Sequence, residues 1–279
     1  MHSRLALKST KFNLSNLIFQ TTLCRYGARH ETAKAARRHR GAPSRTVVFS
    51  SSKFSWDKKE VIVKYKAVVF DMDGTLLDTL ADLADAMNRV LAEHGFATHP
   101  VDAYRHFVGS GANRLVARAL PADRQDEDLR ALCLQSFLRE YEAGWRNKTC
   151  LYEGVPELLD ALAARKIPMA VLTNKPQAFA ELCMREFLSR WDFTLTLGQM
   201  PGVAVKPDPA GPRQVIRHLG VQPEKILYLG DTDVDMFTAV NAGMHPVGVL
   251  WGFRPERELL DAGAAVILRH PMELVSLLD

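Results

Sequence analysis

Cysteine is scarce and unpatterned in this chain of 279 residues. Cys24, Cys133, Cys150 and Cys183 form no CxxC pair and show no metal-ligand spacing, so they read as reduced, mostly buried thiols of a reducing compartment. The nine histidines are scattered, with no HExxH or comparable pair. No apolar run approaches the roughly 18 residues needed to span a bilayer, which argues against a membrane-spanning helix. Internal repeats and low-complexity tracts are missing from the body of the chain. What remains is ordinary for a globular protein: 47% apolar and 24% charged residues, in a length that suits one or two domains.

The net charge of +4 sums two unlike parts. Residues 1–60 hold 13 Lys+Arg against 3 Asp+Glu, a balance of +10; the rest hold 23 against 29, a balance of −6. The mildly acidic body is not expected to bind nucleic acid. The leader carries Lys34-Ala35-Ala36-Arg37-Arg38-His39-Arg40 and then Ser50, Ser51 and Ser52. Its composition fits an organelle transit peptide, or an upstream frame joined to a start near Val61 or Val63, better than a nucleic-acid-binding arm. Residues 1–60 are expected to be disordered. The expected location is the cytoplasm, or an organelle matrix if the leader is a genuine transit peptide.

From Lys66 onward short apolar runs alternate with amphipathic segments. Strands are expected at Ala67–Phe70, Pro168–Leu172, Phe193–Leu197, Ile226–Leu229, Pro246–Val249 and Ala265–Leu268. Helices are expected between them, at Ala178–Leu188, Gly211–Leu219 and Asp235–Ala242, the last stopped by Gly243. Near-continuous apolar strands separated by helices predict an α/β fold: a doubly wound, Rossmann-like parallel sheet covered on both faces. Between Thr79 and Gly154 the pattern is helical only, at Leu80–Glu93, Asn113–Leu120 and Asp128–Tyr141. This predicts a core of residues 61–78 and 153–279 with an all-helical cap domain, residues 79–152, inserted after the first strand. The Val108-Gly109-Ser110-Gly111-Ala112 loop is expected to supply a turn within it.

The most informative segment is Val68-Val69-Phe70-Asp71-Met72-Asp73-Gly74-Thr75. An apolar strand runs into two carboxylates at i and i+2, which share one side of an extended chain. Two such carboxylates repel unless a cation lies between them or one is protonated, which suits a magnesium site with a carboxylate nucleophile and a neighbouring proton donor. Parallel sheets place ligands outside the carboxyl ends of their strands. The residues there are Asp71 and Asp73; Thr173, Asn174 and Lys175; Lys206 between Val205 and Pro207; and Asp231, Asp233 and Asp235. Together they offer carboxylates, a hydroxyl, an amide and ammonium groups, the needs of magnesium-dependent phosphoryl transfer. Asp71 would attack phosphorus, and Asp73 would protonate the leaving oxygen and then activate water. Asp231 would complete the metal shell. Asp235 could hold a metal-bound water or favour the start of its helix. Thr173 and Lys206 suit the phosphate oxygens.

The segments Asp71-Met72-Asp73-Gly74-Thr75, Thr173-Asn174-Lys175, Lys206-Pro207 and Gly230-Asp231-Thr232-Asp233-Val234-Asp235 resemble the four motifs of the haloacid dehalogenase superfamily, in order and spacing. The resemblance covers nearly all of residues 65–279. It implies Asp71 as nucleophile and Asp73 as acid/base, with magnesium held by Asp71, the backbone carbonyl of Asp73, and Asp231. It also implies phosphate contacts from Thr173, Asn174 and Lys206, and support from Asp235. Asp73 argues against a dehalogenase. The helical insertion, Thr173-Asn174-Lys175-Pro176 and Val249-Leu250-Trp251-Gly252 make phosphoglycolate phosphatases the nearest likeness, with Val234 departing from the Asn that many relatives carry. The implied reaction is hydrolysis of a small phosphorylated metabolite, best 2-phosphoglycolate. The alternatives are a β-phosphoglucomutase-like mutase, a pyrophosphatase or a non-catalytic binding protein. Arg114, and then Lys175, are candidates to meet a substrate carboxylate. The chain could act as a monomer or a dimer.

Overall fold

A computed structural model describes residues 65–279; the expected leader, residues 1–60, lies outside the described residues. The central strand β1 (Ala67–Phe70) lies parallel between β4 (Met169–Pro176) and β6 (Ile226–Gly230). β5 (Leu195–Gln199) extends the sheet beyond β4, and β7 (His245–Val249) and β8 (Val266–Leu268) extend it beyond β6. The order is β5-β4-β1-β6-β7-β8, all parallel. Alternate side chains of β1 serve two separate apolar layers. Val68 and Phe70 pack with Val171, Leu227 and Leu229; Ala67 and Val69 pack with Leu172, Val215 and Tyr228. Burial on both faces explains the unbroken apolar strands.

The helices of the core are α5 (Val155–Ala164), α6 (Gln177–Phe187), α7 (Ala210–Leu219), α8 (Asp233–Ala242) and α9 (Glu256–Asp261). α8 ends at Gly243, whose φ of 72° lets its N–H return to Ala239 and Val240 carbonyls. α5 was not anticipated as a separate element. It opens on Pro156 in its first turn after Gly154, and buries Leu158, Leu159 and Leu162.

The cap holds α1 (Leu80–Glu93), α2 (Tyr104–Phe107), α3 (Ala112–Ala119) and α4 (Glu127–Gly144). α1 buries Leu80, Leu83, Met87, Val90 and Leu91, the i, i+3, i+4 stripe of an amphipathic helix. Asp126 caps α4 by accepting from the Leu129 N–H at 2.9 Å. One expectation is corrected here: the interval from Thr79 to Gly154 does contain a strand. β3 (Cys150–Leu151) pairs antiparallel with β2 (Leu77–Asp78), so the chain enters and leaves the cap side by side. Two residues per strand are too few to leave a period-2 pattern. Beside this ribbon, the buried Asp82 carboxylate accepts from the N–H groups of Lys148 and Thr149 and from Thr149 Oγ1, tying the cap's exit to α1. No helix among the described residues is long and apolar enough to cross a membrane.

Candidate active site

The chain order of the sheet reverses about β1, with β4 on one side and β6 on the other, and the side chains of interest gather at this switch point. Asp71 follows β1 directly, its N–H still bonded to Leu229 O at 2.9 Å. The chain then turns tightly. The N–H groups of Leu76 and Leu77 both return to Met72 O at 3.0 Å, and Gly74 adopts φ 88°. A Cβ on Gly74 would fall on the Asp231 carboxylate, so glycine is required for backbone conformation and for space. Gly252 is required on the other side, where a Cβ would meet Asp231 and the Gly74 carbonyl.

Asp71, Asp231 and Asp235 bring one carboxylate oxygen each to within 4.8 Å of one another, all three buried. Asp231 Oδ1 accepts from Thr75 Oγ1 at 3.1 Å and Oδ2 from Phe253 N–H at 2.9 Å. Asp235 is more heavily engaged. It accepts from the N–H and Oγ1 of Thr232 at 3.1 and 2.7 Å, closing the first turn of α8, and from Lys206 Nζ at 2.7 Å. α8 therefore begins two residues before the expected Asp235, and that residue does serve its helix start. Its partners leave Asp71 and Asp231 as the freer carboxylates.

Lys206 is buried, with Nζ 2.7 Å from Asp235 and 2.9 Å from Asp71 Oδ1. It donates to the Leu172 carbonyl and to Tyr228 OH, both at 3.1 Å. The Asp71 contact is paired by charge but not aligned for a hydrogen bond, so Asp71 Oδ1 is a buried oxygen without a donor. Burial pushes the Asp71 carboxyl up from 3.8 to about 7; Lys206 opposes the rise and Asp235 adds to it. Burial, then Asp235 and Asp71, likewise hold Asp231 well above the usual carboxylate range. Lys206 is held firmly protonated: burial opposes its charge, but Asp235 and Asp71 outweigh it.

Thr173, Asn174 and Lys175 lie within β4, which runs past its expected end at Leu172, with irregular pairing to β5 before Pro176 meets Gln199. Thr173 Oγ1 accepts from the Lys175 N–H at 3.2 Å. The Asn174 side chain is a brace between loops. It donates to the carbonyls of Gly109 and Lys206 and accepts from the Lys206 N–H at 2.8 Å. Lys175 donates to Asp73 Oδ1 and to Tyr141 OH, each at 2.8 Å. Asp71, Asp73, Thr173, Asn174 and Lys175 line one cleft beneath the cap, walled by Leu83, Leu115, Phe137 and Phe179 among others. Gly109 and Gly111, both at positive φ, make the expected turn and also line this cleft. Arg114 is not brought to it: on α3 it is exposed, while Leu115 turns inward.

Four carboxylates (Asp71, Asp73, Asp231 and Asp235) thus face two ammonium groups (Lys175 and Lys206) in a largely buried site. With all four carboxylates ionised the site would carry an excess of two negative charges; that excess, the oxygen-only donor set and the donorless Asp71 oxygen fit a hard divalent cation such as magnesium. Sequence reasoning did not single out Tyr141, Tyr228, Thr232, Phe253 or Gly252. Gly252 and Thr232 carried a local signal, in the segments Val249–Gly252 and Gly230–Asp235, and Thr232 meets Asp235 three residues on; Tyr141 and Phe253 act through contacts distant in sequence.

Residues 68–249 match the haloacid dehalogenase-like hydrolases. A phosphoglycolate phosphatase of Nitrosospira multiformis is 34% identical over 77% of this chain and 96% of its own length. An N-acetylmuramic acid 6-phosphate phosphatase of Pseudomonas aeruginosa is 33% identical over 78% and 96%. Among solved structures, a candidate phosphoglycolate phosphatase from Lactobacillus delbrueckii subsp. bulgaricus superposes with a TM-score of 0.73 at 30% identity, covering 77% of this chain and 98% of that one.

Proposed function

The chain belongs to the haloacid dehalogenase-like hydrolase family, and we propose that it hydrolyses a small phosphomonoester, best 2-phosphoglycolate, through an aspartyl-phosphate on Asp71. The observation that carries this reading is the Asp71–Lys206–Asp235 cluster with Asp73 two residues on and Asp231 alongside. Asp71 Oδ attacks phosphorus as the bond to the leaving alcohol breaks, and Asp73 gives that oxygen a proton. Water then attacks the acyl-phosphate, Asp73 takes its proton, and phosphate leaves with Asp71 restored. Asp71, Asp231 and the Asp73 carbonyl would hold magnesium, which when bound supplies neutralisation of the phosphoryl oxygens. Lys206 holds Asp71 in place from the protein side, with Thr173 and Asn174 beside it at the phosphate end.

Both named phosphatase relatives point to phosphoesters that carry a carboxylate. In the cleft lining the one cationic side chain is Lys175, so it takes precedence over Arg114 as partner for such a group. Exposed Cys150 and buried Cys133 and Cys183, all unpaired, suit a reducing compartment, the cytoplasm or an organelle matrix. The test is phosphate release from a panel of small phosphate esters with and without magnesium. Turnover should need magnesium and favour small carboxylated esters; isomerisation of a sugar phosphate without phosphate release would overturn the reading.

A further inference from the structure

We propose that Tyr141 is a positioning residue that sets the acid/base Asp73 across the junction of cap and core, acting through Lys175; this rests on the phosphatase reading above. Asp73 comes from the loop after β1, Lys175 from β4 and Tyr141 from α4 of the cap. Lys175 Nζ joins the other two, at 2.8 Å from Asp73 Oδ1 and 2.8 Å from Tyr141 OH, and lies 4.8 Å from the Tyr141 ring centroid. The Lys175 side chain is only 2% exposed and that of Asp73 is 13% exposed. Tyr141 is itself held rigidly, stacked on Phe137 at 5.8 Å and edge-on to Phe179 at 5.0 Å.

Among the described residues, Lys175 is the one side chain that bonds the Asp73 carboxylate. Its grip on Oδ1 leaves Oδ2 to face a leaving group. A proton donor must come within about 3 Å of the atom it serves. A lysine ammonium on four rotatable bonds is a poor guide unless a second partner fixes it, and Tyr141 is that partner. Other hydrogen bonds join cap and core, among them Asn174 to Gly109 O at 3.1 Å, Arg105 to Gly252 O at 2.8 Å, Arg254 to Val108 O at 3.0 Å and Arg146 to Glu186 Oε2 at 3.2 Å. None of these ends on Asp73 or Lys175, so each can hold the cap without touching the acid. Among these side-chain contacts the Tyr141–Lys175 bond alone carries the position of the cap to the acid.

The test is a mutant cycle read on kcat/KM, which reports the transfer step, across substrates of rising leaving-group basicity. For an alkyl phosphate without a carboxylate, so that Lys175 has no substrate charge to meet, Tyr141→Phe should lower kcat/KM about five- to tenfold, the worth of one hydrogen bond made in the transition state. For an aryl phosphate with an acidic phenol, which needs little protonation, the change should stay within about twofold. Lys175→Gln should show the same dependence more strongly, and the double variant should be no worse than Lys175→Gln alone. A loss equal across the series, no loss, or additive losses would overturn the relay. Should Tyr141→Phe melt far below the wild type, Lys175→Gln decides alone: a loss independent of the leaving group overturns it. Wild-type protein that releases phosphate from no ester with magnesium present would sink both readings. Turnover with a flat Tyr141→Phe series sinks the relay only.

Discussion

Replacing the Asp71 nucleophile by its amide should make the metal-free protein more stable while abolishing turnover. Asp71 is 4% exposed, and its carboxyl is raised from 3.8 to about 7, mainly by burial. Ionising it therefore costs the folded state free energy. Below about pH 4 the carboxyl is protonated in both folded and unfolded chains, and no cost exists. Between about 4 and 7 the unfolded chain ionises first, so the cost grows with pH and levels off above about 7. At about 1.4 kcal/mol per pH unit the ceiling is about 4 kcal/mol. Asp231 relaxes when its neighbour is neutralised, and Lys206 loses part of its pairing, so about 2–4 kcal/mol is the expected gain for Asp71→Asn. In a domain of this size that raises the melting temperature by about 4–16 °C. The assay is thermal melting of both proteins with a chelator at several values from pH 5 to 8. The difference should widen toward pH 7 and then hold. Adding magnesium should narrow or reverse it, because a ligand that binds the folded wild type stabilises that protein selectively. A difference that is flat with pH, or a variant less stable than the wild type at pH 8, would refute the electrostatic reasoning. Substantial residual turnover would refute the nucleophile assignment.

Lys206→Met should destabilise the protein by about 3–5 kcal/mol, since it strands Asp71 and Asp235 without their shared cation, and should eliminate turnover; urea unfolding and phosphate release measure the two effects. Gly252→Ala forces a methyl onto Asp231 and the Gly74 carbonyl, so the rise in melting temperature on adding magnesium should be lost, together with at least ~90% of the activity, about 1.4 kcal/mol or more. Arg114→Ala should change kcat/KM for 2-phosphoglycolate and for an uncharged aryl phosphate by no more than about twofold, as befits an exposed side chain outside the cleft; a selective tenfold loss on the carboxylated substrate would bring Arg114 back as its partner.

How much of this was legible depended on how locally each feature is encoded. β1 and α1 match their expected bounds residue for residue, because a doubly buried strand and an amphipathic helix each write their own periodicity. Asp71, Asp73, Asp231 and Lys206 gather where the strand ends of a parallel sheet would put them. β4 overruns its expected end because Thr173, Asn174 and Lys175 are polar residues in strand conformation, facing a cleft instead of an apolar layer. Asn174, expected as a phosphate contact, also braces two loops, its side chain bonded to Lys206, 32 residues away, and to Gly109, 65 residues away. Tyr141 sat in a helical apolar stripe with nothing to distinguish it; its hydroxyl gains a meaning only when folding brings Lys175 beneath it. Residues whose role is a partner elsewhere in the chain are silent in a single sequence.

The paired strands β2 and β3 bear on how such a molecule can change over generations. Residues that face each other across an antiparallel ladder have their Cα atoms only about 5 Å apart. The whole cap thus hangs from two strands of chain that meet at one place, Leu77–Asp78 beside Cys150–Leu151. Any insert whose ends come together at that spacing can be spliced there without disturbing the order of the sheet, and the loss of an insert leaves a gap that a tight turn can close. The part of the molecule that breaks phosphate esters and the part that covers them are joined like a tool and an exchangeable head, the joint lying at Leu77–Asp78 and Cys150–Leu151.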